Sequence, residues 1–227
     1  MQPHFFPWGG YFNLISKVDK FIFLDDAQYS KSSWQSRNKV IISNQVKWIT
    51  VHTLKSSTKK TNILDKKIDK KKIWKIKLIK SLEQNYSKHP YFLDLRYLLD
   101  YFSQLEAANL AELNVKLIKF ICNEIKIKTD FVLSSKFQIK KKRSDKIIDI
   151  IEQLNITEYL TVPGAEHYLA EDQFLKKTSI NLAINIFNQN KYNQHNQKDF
   201  VKNLSIIDIL ANLGWLETSK YVKKNYD

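Results

Sequence analysis

Only four glycines and four prolines serve the 227 residues of this chain, and half of each kind fall within Gln2-Pro3-His4-Phe5-Phe6-Pro7-Trp8-Gly9-Gly10-Tyr11-Phe12. Glycine reaches positive φ and proline fixes φ, so these residues mark where a chain turns sharply. With half of them spent at the start, little remains for long flexible linkers, and a single domain over 1–227 is expected. Pro7 biases Phe6 out of the helical region, and Gly9-Gly10 permits a tight turn before a helix that begins near Phe12. A glycine turn feeding a helix presents free N–H groups, a natural cradle for phosphate or carboxylate. An aromatic plug closing one end of a sheet explains the same residues equally well, and the pattern alone leaves both open.

The rest of the chain reads as alternating elements. Apolar runs at 21–24, 40–42 and 46–51 suit strands, the last two joined by a turn at 43–45. Residues 55–72 are Lys/Ser/Thr-rich without a period, which predicts a solvated loop. Ile73, Ile76, Ile79, Leu82 and Tyr86 fall at helical spacing. Pro90 opens a second helix with Phe92, Leu95, Leu98, Leu99 and Phe102 as its stripe, and Asn109 caps a third. Cys122 lies beside the apolar face of that third helix and is expected to be a buried structural thiol. Strands at 130–133, 158–161 and 180–186 alternate with helices at 145–154 and 204–212. The expected fold class is therefore α/β, a mainly parallel sheet covered by helices, with a helical segment at 70–128 packed on one side.

Composition narrows the function. Hydrophobic residues make up 43% of the chain, a globular proportion, and no run approaches the roughly 20 apolar residues of a membrane span. One cysteine excludes an internal disulfide, and a reducing, cytoplasmic setting is expected. The formal charge of +14 invites a nucleic-acid reading, yet among 37 basic residues only Arg37, Arg96 and Arg143 are arginine. Base readout and bidentate phosphate contacts lean on arginine. Nucleic acid is therefore not expected as a partner, except tRNA in the role of a donor. Attraction of an anionic substrate is an equal use of the charge.

Asp25 and Asp26 follow directly on the strand at 21–24. Carboxylates just beyond the carboxyl end of a buried strand lie where open α/β sheets bind ligands. Gln28, Lys31, Trp34, Arg37 and Asn38 come next, and an arginine beside carboxylates and amides suits a charged, hydrogen-bonding substrate. His4 is the histidine best placed for acid–base work, converging with Asp25 and Asp26 as the catalytic set. Gln2, Trp8, Gly10 and Tyr11 join the substrate-binding candidates, as does His167 in a loop after a strand. No His/Asp/Glu spacing resembles a metal site, and none is expected. Asp208, inside an apolar helix, must face water or find a partner, with the loop at Gly164 one candidate.

The block 2–12, with Asp19-Lys20-Phe21-Ile22, Leu24-Asp25-Asp26, Gln28-Tyr29 and Trp34…Arg37-Asn38, resembles the signature of the WbqC-like protein family. Ser134-Ser135, Glu158-Tyr159-Leu160, Gly164…Tyr168-Leu169 and residues 204–208 extend the resemblance over nearly the whole chain. That bacterial family is often encoded among genes for O-antigen and other surface polysaccharides. The resemblance implies a transferase that places an acyl or aminoacyl group on an amino sugar, carried on a nucleotide. His4 or Asp26 would act as general base, Arg37 and Lys31 would face the diphosphate, and Trp8 and Tyr11 would stack. Acyl-coenzyme A, aminoacyl-tRNA and an ATP-activated acid are all open as donor. A non-catalytic module that binds nucleotide sugar or nucleic acid is the competing class. The family also has a short apolar strand before Gln-Pro, so five to ten apolar-rich residues are expected upstream of Met1.

Overall fold

The computed structural model describes residues 1–55, 60–69, 71 and 73–224. In chain order its elements are α1 (Gly9–Ser16), β1 (Lys20–Phe23), β2 (Arg37–Ile42), β3 (Gln45–Thr50), α2 (Ile73–Tyr86), α3 (Phe92–Gln104), α4 (Leu110–Glu124), β4 (Asp130–Leu133), α5 (Arg143–Gln153), β5 (Glu158–Thr161), α6 (Glu166–Glu171), α7 (Phe174–Lys177), β6 (Asn181–Ile184) and α8 (Ile206–Lys223). Short 3₁₀ turns follow β4 and β5. The protein is α/β.

Two of the three strand ladders are parallel: β1 with β4, in register Lys20 to Asp130, and β5 with β6, in register Glu158 to Asn181. The antiparallel pair β2–β3 is the hairpin expected from the sequence, turning at Ser43 and Asn44, both at positive φ. The ladders remain separate two-stranded pieces and do not join into one sheet. Strands of four residues offer few ladder bonds, so helices carry the interior instead. Met1 lies beside β1, its amine donating to Ile22 O at 2.6 Å and its carbonyl accepting from Leu24 N at 2.9 Å.

Two hydrophobic cores result. The larger gathers Phe5, Phe6, Phe12, the strands β1 to β3, and the inward faces of α2, α3, α4 and α8. The smaller consists of Ile147, Ile148, Ile151, Ala165, Leu169 and Phe174, between α5, α6 and α7. Asn109 caps α4 as expected, accepting from Glu112 N at 2.9 Å. Cys122 is buried, which pushes its thiol pKa up.

Three local expectations are corrected. In α2 the inward stripe is Trp74, Leu78, Leu82 and Tyr86, leaving Ile73 and Ile76 more than half exposed. Trp74 has the larger surface to bury and donates its indole N–H to Asp69 O at 3.0 Å, so it sets the face. Within 55–72, the described residues are bonded into the body of the protein. Ile63 is fully buried, Tyr29 N donates to Thr61 O, and Lys66 donates to Leu54 O. The helix expected to end at residue 212 runs to Lys223 through a kink at Gly214 (φ 69°). A Cβ there would lie 2.5 Å from Tyr91 and 2.8 Å from the Asp94 carboxylate. That carboxylate accepts from Trp215 N at 2.9 Å and restarts the helix.

Candidate functional site

The opening block is pinned carbonyl by carbonyl. The Asn38 amide donates to Phe5 O at 3.1 Å and Phe6 O at 2.7 Å. Ser205 Oγ adds a bond to Phe6 O at 2.8 Å, and Asn114 spans Pro3 O and Gln35 O. Ile206 N, at the start of α8, donates to Pro7 O. Phe6 therefore stands at φ 40°, left-handed, a conformation a bulky residue holds only when its surroundings over-determine it. Pro7 does exclude Phe6 from the right-handed helical region, as the sequence implies. The expected turn before the helix is replaced by the helix itself, since α1 begins at Gly9 and not near Phe12; a Cβ at Gly10 would lie 2.4 Å from the Trp8 ring.

This block forms one wall of a cleft of about 1690 Å³, whose other wall is the segment around α5 and β5. Of the expected site residues, Gln2, His4, Trp8, Gly10, Tyr11, Asp26, Gln28, Trp34 and Asn38 line it; Asp25, Lys31, Arg37 and His167 stand outside. Lys31 and His167 are exposed, and His167 meets Glu171 at 3.4 Å. Tyr11 is 1% exposed and its hydroxyl donates to Gln2 O at 2.9 Å, so it braces the wall and has no open ring face for stacking. Burial pushes that phenol's pKa well up.

His4 packs its ring on Tyr11, with centroids 5.3 Å apart. Burial first, and the nearby terminal ammonium second, push its pKa down to about 4. The imidazole is thus neutral at neutral pH and has an acceptor nitrogen for a proton.

Asp25 and Asp26, adjacent in sequence, have separate roles. Asp25 is 1% exposed and accepts from Ser134 Oγ at 3.1 Å, Ser135 N at 3.0 Å and Ser135 Oγ at 2.7 Å. It ties the end of β1 to the turn after β4. Asp26 faces the cleft, accepting from Ser134 Oγ and forming an ion pair with Lys146 of α5. Ser134, Ser135 and Lys146 were not singled out as site residues from the sequence. Their signal is spatial, because Lys146 is 120 residues from its partner. The run Lys140–Arg143 is exposed and lines the cleft.

A second polar cluster lies away from the cleft. Asp208 is fully buried and accepts from Tyr192 OH at 2.7 Å, Gln194 Nε2 at 3.1 Å and Tyr86 OH at 3.2 Å. Its partners are therefore these three, in place of the loop at Gly164. Burial pushes its pKa up against their hydrogen bonds. Among the described residues, no group of three or more His, Cys, Asp or Glu side chains is placed to hold a metal ion, and no helix is long and apolar enough to cross a membrane.

The model of the WbqC-like protein family matches residues 2–220. The uncharacterized protein Rv1507c of Mycobacterium tuberculosis is 30% identical over 217 residues, covering 94% of this chain and 92% of its own length. No solved structure matches.

Proposed function

We propose for this chain, which belongs to the WbqC-like protein family, that the cleft transfers an acyl or aminoacyl group to the amine of a nucleotide-linked amino sugar. The observation that carries the reading is the cleft, where a neutral His4 and the Asp26–Lys146 pair face one space of about 1690 Å³. Small-molecule sites occupy roughly 300–1,000 Å³, so this one has room for an acceptor and a donor together. Lys17, Lys140 and Lys142 on its lining suit phosphate-bearing reactants. In this reading the sugar is destined for O-antigen or another surface polysaccharide, the setting that the family resemblance implies.

The sugar amine attacks the acyl carbonyl carbon, and an N–C bond forms as the carbonyl π pair moves to oxygen. The attacking nitrogen becomes acidic as it loses its lone pair, and His4 takes its proton. Collapse re-forms the carbonyl and breaks the bond to the leaving group. The histidine, a strong acid once protonated, passes the proton to that departing group. Acyl-coenzyme A, aminoacyl-tRNA and an ATP-activated acid all supply such a carbonyl.

Turnover measured with a nucleotide-linked amino sugar and each donor tests the reading. His4→Ala is expected to lower turnover by about 10²-fold while acceptor binding persists. Unchanged turnover would reject catalysis by this histidine. A binding module is the second reading, favoured by the engagement of Asp26 with Ser134 and Lys146. It predicts ligand-dependent stabilisation with no turnover for any donor.

A further inference from the structure

The hairpin carries an aromatic and cationic surface at the rim of the cleft. Lys39 on β2 lies directly opposite Trp48 on β3, and Arg37 lies opposite Thr50, so alternation places Arg37, Lys39 and Trp48 on one outward face. The Arg37 guanidinium stands 4.0 Å over the Trp48 ring. The Lys39 ammonium lies 5.2 Å from the same ring and 5.9 Å from that of Trp34. The two indoles are 5.2 Å apart and tilted by 46°, and each is about 40% exposed. Trp34 also lines the cleft, and its carbonyl accepts from Phe5 N at 2.9 Å, which fixes the rim to the block carrying His4.

Two features show that this surface is incomplete by itself. No carboxylate pairs with Arg37 or Lys39 among the described residues, and Arg37 Nε is buried without an acceptor. A buried donor left unpaired costs about 1–3 kcal/mol, so the guanidinium is not satisfied within the chain. Large exposed rings beside two free cations need a ligand that is flat at one end and multiply charged at the other.

We propose that Trp34, Trp48, Arg37 and Lys39 form the subsite for a nucleoside diphosphate, the base stacking on the exposed indoles and the phosphates meeting the guanidinium and ammonium. The two rings and two cations lie 4.0–5.9 Å apart in neighbouring pairs, a cluster suited to a single nucleotide; single-stranded nucleic acid occupies about 4–16 nucleotides on a binding fold. Trp8 and Tyr11 cannot supply this platform. Tyr11 is buried, and the Trp8 ring lies over Gly10 and edge-on to Phe187. The inference deepens the reading of the cleft as a site for nucleotide-linked sugar and rests on it. The nucleotide could equally belong to the acceptor sugar, to ATP or to coenzyme A, all of which present a base joined to at least two linked phosphates.

Titration of the intact protein with UDP, ADP, coenzyme A and inorganic pyrophosphate, followed by tryptophan fluorescence, tests the subsite and identifies the source. At least one nucleotide is expected to quench the emission and to bind about tenfold or more tightly than pyrophosphate, the base supplying the difference. Arg37→Lys keeps the charge and loses the fork, and is expected to weaken that nucleotide about tenfold; Trp48→Ala should do the same. Far-ultraviolet circular dichroism confirms that both variants fold. Equal binding of pyrophosphate, no binding of any nucleotide, or unchanged affinity in both variants would overturn the proposal. So would a short single-stranded oligonucleotide that binds far more tightly than any mononucleotide. His4→Ala separates the two claims: it is expected to keep nucleotide affinity while losing turnover, so either can fail without the other.

Discussion

The two walls of the cleft are built by different means. The wall formed by Gln2–Tyr11 belongs to the larger core, and the amides of Asn38 and Asn114 hold its carbonyls from distant parts of the chain. The opposite wall rests on a core of six buried side chains and presents exposed Lys140, Lys141 and Lys142. The first wall suits the groups that must be positioned, since His4 and the strained Phe6 sit in it. The second suits attraction and adjustment, because long charged side chains on a small core can move with a ligand.

The sharpest way to break this comparison is Phe174→Ala, which empties the middle of the smaller core and is expected to cost about 3–5 kcal/mol. Hydrogen exchange should show the amides of α5 and β5 losing protection while those of α4 and α8 keep it. Uniform loss across the molecule would mean that the two walls unfold as one. Asn38→Ala attacks the other wall. It orphans Phe5 O and leaves Phe6 O with Ser205 alone, at an expected cost of about 2–4 kcal/mol read from the urea midpoint.

Acid should also strike the N-terminal wall. The pKa of His4 falls to about 4 in the folded state, as does that of His89, half-buried and beside His195. Between pH 6.5 and 4 the unfolded chain therefore binds more protons, and stability is lost as the pH falls through that window. A loss of about 3 kcal/mol is expected from His4, at about 1.4 kcal/mol per pKa unit, and less from the half-buried His89. Asp208, whose pKa is raised, titrates in the opposite sense, its contribution being complete below the ordinary carboxylate range and lost as pH rises. His4→Gln should flatten the acid limb between pH 6.5 and 4; an unaltered limb would show that His4 is not held neutral. The smallest effect belongs to the lysine wall. Lys140→Gln with Lys142→Gln should weaken nucleotide binding by about 0.5 kcal/mol and reduce its salt dependence, since exposed charges contribute little each.

What was legible in the sequence was local. Asn109 announces its cap within three residues, the strands at 130–133 and 158–161 appear with their expected bounds, and the hairpin turn is written in Ser43-Asn44. The carboxylates at the end of β1 were legible as a pair, but their division of labour was not. That division depends on Ser134 and Lys146, more than 100 residues away. Arg37 was read beside Asp25 because they are near in sequence. Its partner is Trp48 because the hairpin register sets it there, and register is a property of two strands together. The bonds of 60–69 escaped notice for a similar reason: a lysine-rich composition says nothing about backbone pairing with Ala27, Tyr29 and Leu54.

The parallel pairing of β1 with β4, and the bond from Ser205 to Phe6 across 199 residues, bear on how the protein is made. At about 5–20 residues per second on a ribosome, roughly 10–40 s separate the emergence of Phe6 from that of Ser205. Asn38, Asn114 and β4 emerge within that interval, but the anchors from Ser205 and Ile206 arrive only at its end. A nascent chain arrested before residue 205 should therefore leave this segment cleavable by protease and available to chaperones. The part of the molecule first synthesised would be the last to reach its working conformation.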